Sequence, residues 1–186
     1  MPLPTVIPDY KTETLEGIQR LIEDPLVPDQ IREESLRLLR EGQIVKLEQT
    51  VEQWFGEFDS VCTIRPINDI DEQTHDAAHA HFFILHIALK KYVEDCMHRV
   101  SVIIMQEVKN IALSGHYNSK TCLQLYRARF MGPSCRTTGL DIKISRKALK
   151  GLLASPEHSQ IIRRARIETA LNWLEQIQPE EKPTAP

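Results

Sequence analysis

The sequence predicts an all-α fold, a multi-helix bundle around a central buried helix. Apolar residues recur at three- and four-residue spacing along most of the chain. Glycine is scarce, seven in 186 residues, too few for a loop-rich or all-β protein. The eleven prolines avoid the interior of the strongest periodic segments. A minor β-element fits at residues 61–65 and 140–144, and an α+β fold is the alternative.

Leu15, Ile18, Leu21 and Ile22 open the first helix, which Asp24-Pro25 ends, because proline disfavours helical backbone in the residue before it. Asp29 is placed to cap the second helix, with Ile31, Leu38 and Leu39 on its apolar side and a stop at Gly42. Ile44, Leu47, Val51, Trp54, Phe55 and Phe58 then share one side of a third helix. Residues 61–65 are β-prone and closed by Pro66. Asp69 and Glu72 have the form of a capping box with Asp in place of Ser or Thr.

From there to about Ser114 no Gly or Pro occurs. One helix of about 45 residues would be roughly 67 Å long. That predicts either a break around residues 94–99 or a protruding helix used for assembly. Residues 82–89 are apolar nearly all round, which marks them as the central, most buried stretch. Residues 121–131 read as a helix between loops at 115–120 and 132–139. Leu140, Ile142 and Ile144 alternate with Asp141 and Lys143, which suits a short strand. Ser145 is placed to cap a helix carrying Leu149, Leu152 and Leu153. Ser155-Pro156 opens the last helix, with Ile162, Ala170, Trp173, Leu174 and Ile177 on its apolar side.

The reading is one helical domain over residues 12–178. An extended arm (1–11) precedes it and a Pro-rich tail (179–186) follows. The start lacks the charge-then-apolar pattern of a secretory signal, and the run 80–89 is too short to span a bilayer. Cys62, Cys96, Cys122 and Cys135 form no C-x-x-C pair. Four reduced thiols in a cytoplasmic or nuclear protein is the economical expectation.

Charge is sorted by position. Residues 1–119 hold 20 Asp/Glu against 11 Lys/Arg, residues 120–166 hold 11 Lys/Arg against Asp141 and Glu157, and the last twenty residues hold four acids and Lys182. The net charge of −3 thus combines an acidic body with a basic segment. Arg127, Arg129, Arg136, Lys143, Arg146, Lys147 and Lys150 are the candidate anion contacts, with Tyr126 and Phe130 interleaved among the first. Cations take phosphates and rings stack on bases, so RNA or DNA fits, and so does a peripheral anionic membrane surface. The competing expectation is self-docking, within one fold or between copies. Arg163 and Arg166 share a side of the last helix with Ala170 and Leu174, where a cation needs an acidic partner.

His75, His79 and His86 lie within about 40° of one another on a helix. Imidazoles four apart can hold a transition metal, although H-E-x-x-H is absent. Histidines lining a helix contact explain the same spacing. No phosphate-binding loop or nucleophile motif is present, and nothing calls for a cofactor. These readings favour a non-catalytic interaction and assembly protein whose partner is itself, another protein, RNA or DNA. A metal-binding bundle and a purely structural oligomer are the alternatives.

Overall fold

The computed structural model describes residues 14–64, 72–115, 124, 125, 127, 139–155 and 164–182, the side chains of 58–64 and 72–75 excepted. Six helices are assigned there: α1 (Leu15–Glu23), α2 (Asp29–Arg40), α3 (Ile44–Ile64), α4 (Glu72–Ser114), α5 (Gly139–Ala154) and α6 (Arg164–Ile177). Gln124, Leu125 and Arg127 are also helical. The fold is all-α. The chain divides into two compact units between Tyr92 and Val93, and α4 contributes to both.

In the first unit α1 packs on α2 and α2 on α3. Thr14 caps α1: the Gly17 N–H donates to Thr14 Oγ1 at 3.2 Å, satisfying one of the unpaired donors of the first turn. Asp24 is extended before Pro25, and α1 ends there. Asp29 is the first residue of α2, not its cap; Pro28 holds the cap position without a side-chain bond. The Asp29 carboxylate instead takes Arg32 at 3.0 Å. The Arg32 guanidinium also donates to the carbonyls of Asp24 (3.1 Å) and Val27 (2.8 Å), closing the turn between the helices. α2 stops at Gly42, whose φ of 70° an L side chain resists. Gln43 N–H donates to Leu38 O (2.9 Å) and Gly42 N–H to Leu39 O (3.1 Å), the two bonds of a Schellman cap. On α3, Ile44, Leu47 and Val51 are fully buried, while Trp54 and Phe55 are half-buried.

The helix α4 is continuous over 43 residues, so no break occurs at 94–99. Its buried positions follow one continuous pattern. Ala78, Phe82, Leu85, Leu89, Val93, Cys96, Val100, Ile104, Glu107 and Ile111 are all buried. Their steps of four, three and four residues repeat every eleven positions, a period of about 3.67 per turn. That stays closer to the 3.6 of a straight helix than a seven-residue repeat does. Phe83, Ile87, Val102, Met105 and Leu113 lie on the other side and are exposed. Residues 82–89 are therefore buried on one side, although their composition suggests burial all round.

Two expected β-segments are helical. Residues 61–64 continue α3, and 140–144 lie in the first turns of α5, which begins at Gly139. Ser145 is accordingly a buried interior residue and not a cap. In the second unit α5 packs on α6. Ile142, Ala148, Leu149 and Leu152 face inward from α5, and Ile167, Ala170, Leu174 and Ile177 from α6. Fully burying a Leu, Ile or Phe contributes roughly 1.5–3 kcal/mol. No described helix is long and apolar enough to cross a membrane. The arm 1–11, Asp69, and the segments 116–123, 128–138, 156–163 and 183–186 lie outside the described residues.

Candidate functional site

The helix α5 carries Lys143, Arg146, Lys147 and Lys150 at steps of three, one and three. All four line an open groove of about 670 Å³, together with Gly139 and Leu140. Its opposite wall is the non-helical segment that follows α6: Gln178, Pro179, Glu180 and Glu181. Pro179 prevents α6 from continuing, so the chain leaves the helix axis and runs beside α5.

The four cations are not equivalent. Arg146 is buried at 8% exposure. Its guanidinium donates to the main-chain carbonyl of Gln178 and, at 3.4 Å, to Glu175 Oε2. Lys150 is half-exposed and bonds Glu180 Oε2. That bond holds the Glu180 carboxyl below the usual carboxylate range, with the lysine charge adding to the effect. Lys143 and Lys147 are exposed and make no ion pair among the described residues. Gly139 leaves room for the strap: a Cβ there would stand 3.3 Å from Gln178 Oε1.

Elsewhere in the basic segment, Arg127 is exposed on helical backbone. Arg129, Arg136 and Arg163 lie outside the described residues. Arg164 pairs with Glu168 at 3.3 Å. Arg166 meets the fully buried Glu107 of α4 at 3.9 Å, so this cation has the acidic partner that its position requires. Among the described residues, Glu107, Glu168, Glu175 and Glu180 answer cations of the basic segment. Three of these four belong to the last twenty residues and Glu107 to the acidic first 119.

The histidines do helix-contact work. The Phe55 ring stacks on His79 (centroids 4.9 Å apart) and on His86 (6.0 Å), with Phe83 tilted beside it at 5.8 Å. The His75 side chain lies outside the described residues. His81, on the other flank of α4, donates from Nε2 to the Leu21 carbonyl at 2.6 Å and ties α4 to α1. Among the described residues no three His, Cys, Asp or Glu side chains converge as ligands of a metal ion. Sequence reasoning placed the lysines but missed the strap. The clue was available in Pro179-Glu180-Glu181, an acidic run just after a helix end. Scans against protein-family models, curated proteins and solved structures find no match.

Proposed function

We propose that this chain is a non-catalytic interaction protein that offers the exposed face of α5 to an anionic partner. One observation carries the reading. Lys143, Lys147 and Lys150 stand at steps of four and three along one line of the helix, and the first two have no carboxylate partner among the described residues. Two uncompensated ammonium groups beside a groove form a local positive field on a chain whose net charge is −3. Arg146 serves the fold, and Arg129 and Arg136 lie outside the described residues, so the contacts proposed among the described residues are these three lysines, with Arg127 exposed elsewhere.

The test is binding of the full chain to anionic probes, namely single-stranded RNA, duplex DNA, vesicles with anionic lipid and poly-glutamate. At least one should bind, with affinity falling as salt rises above about 0.1 M. Lys143→Gln with Lys147→Gln should abolish most of that binding and leave the melting temperature unchanged. If no probe binds, or the double variant binds equally well, the reading is wrong.

A further inference from the structure

The wall opposite the lysines is itself a piece of acidic polypeptide, and it is held by contacts specific to polypeptide. Arg146 takes a main-chain carbonyl, that of Gln178, and Lys150 takes a side-chain carboxylate, that of Glu180. The Glu180 N–H donates in turn to the Glu175 carboxylate at 3.3 Å. Gly139 lets the Gln178 side chain lie close: a Cβ there would stand 3.3 Å from Gln178 Oε1. A phosphodiester backbone offers no amide carbonyl and no N–H donor. A non-helical stretch of Glu-containing peptide offers both.

Resting on the anion-binding reading above, we infer that the α5 groove recognises an extended acidic peptide, and that residues 178–181 are its built-in competitor. The strap follows directly on Ile177, the last residue of α6, so it is presented to the groove at high effective concentration. It satisfies Arg146 and Lys150 and leaves Lys143 and Lys147 open. An incoming peptide therefore gains a foothold on the two open lysines and completes its binding by displacing Glu180 from Lys150. The partner is a protein with a run of Asp or Glu in extended conformation, and the strap sets the threshold that this run must exceed.

The experiment uses the full chain labelled with 15N, titrated with a peptide of ten glutamates and, separately, with ten-nucleotide poly-dT. The peptide should shift the amide resonances of Glu180 and Glu181 together with those around Lys143 and Lys147. The double variant Glu180→Gln, Glu181→Gln should bind it about two- to fivefold more tightly, the scale of losing an exposed ion pair. A circular-dichroism melt matching the original chain establishes that the variant is folded. Three results overturn the inference. If the peptide binds while Glu180 stays still and the double variant gains nothing, the strap is no competitor, though the anion site stands. If poly-dT binds and the peptide does not, the partner is a nucleic acid, and again the anion site stands. If neither probe binds the original chain or the variant, the underlying reading falls as well.

Discussion

Arg146 and Lys147 are adjacent and carry the same charge, yet they do opposite things. One turn-step of 100° carries Arg146 to the packed side of α5 and leaves Lys147 in solvent. Arg146 belongs to the fold because its buried guanidinium satisfies the Gln178 carbonyl, which the end of α6 leaves without a helical partner. Arg146→Met should therefore destabilise the chain by about 1.5–3 kcal/mol, the range for a hydrogen bond to a charged group. Lys143→Met and Lys147→Met should each stay within about 0.5 kcal/mol. Urea unfolding of the three variants measures the contrast, and equal losses would mean that Arg146 is not structural. Glu180 gives a second residue-level outcome. Its carboxyl is depressed by the Lys150 hydrogen bond, so ionisation favours the docked strap. That contribution is complete above the pKa of the undocked carboxyl and fades as pH falls through the depressed value. The Glu180 amide resonance should move toward its undocked position in that acidic window and stay constant from pH 6 to 8; movement near neutrality instead would point to a histidine.

Among the elements, the stop at Gly42 and the apolar line beginning at Ile44 were legible in the sequence because each has a single local cause. A left-handed residue ends α2, and a 3.6-residue stripe builds α3. Gly42→Ala should cost about 1–2 kcal/mol, because a Cβ disfavours that backbone conformation. A denaturation midpoint unchanged by the substitution would show that the cap contributes nothing. The strand reading of 140–144 failed for an identifiable reason. Alternation of Leu140, Ile142 and Ile144 has period two only if apolar residues alone are counted. The buried side of α5 runs through Asp141, Ile142, Ser145, Arg146, Ala148, Leu149 and Leu152, which is helical spacing carried partly by polar groups. The eleven-residue order of α4 was hidden in the same way. Glu107 stands where Cys96 and Leu85 stand one and two repeats earlier, and a carboxylate breaks an apolar pattern even when, as here, it is fully buried. The lysines that line the α5 groove were legible as charge. The strap was not, because its role depends on which helix lies beside residue 178.

At the scale of the whole molecule, sorted charge makes the response to salt unusual. The net charge of −3 repels a polyanion at long range, while Lys143 and Lys147 attract it close to the groove. Which field an approaching partner feels depends on the screening length, about 30 Å at 0.01 M salt, about 10 Å at 0.1 M and about 3 Å at 1 M. At the lowest salt the partner senses the acidic total before it senses the lysines. Near 0.1 M the long-range field of the net charge is screened and the groove, which acts over a few ångströms, is not. In molar salt both are screened. The association rate for poly-glutamate should therefore rise and then fall as salt increases, with a maximum near about 0.1 M. A uniformly basic protein would show only a fall. Stopped-flow rates across that range separate the two cases, and a steady decline from the lowest salt upward would mean that the net negative charge does not oppose the encounter.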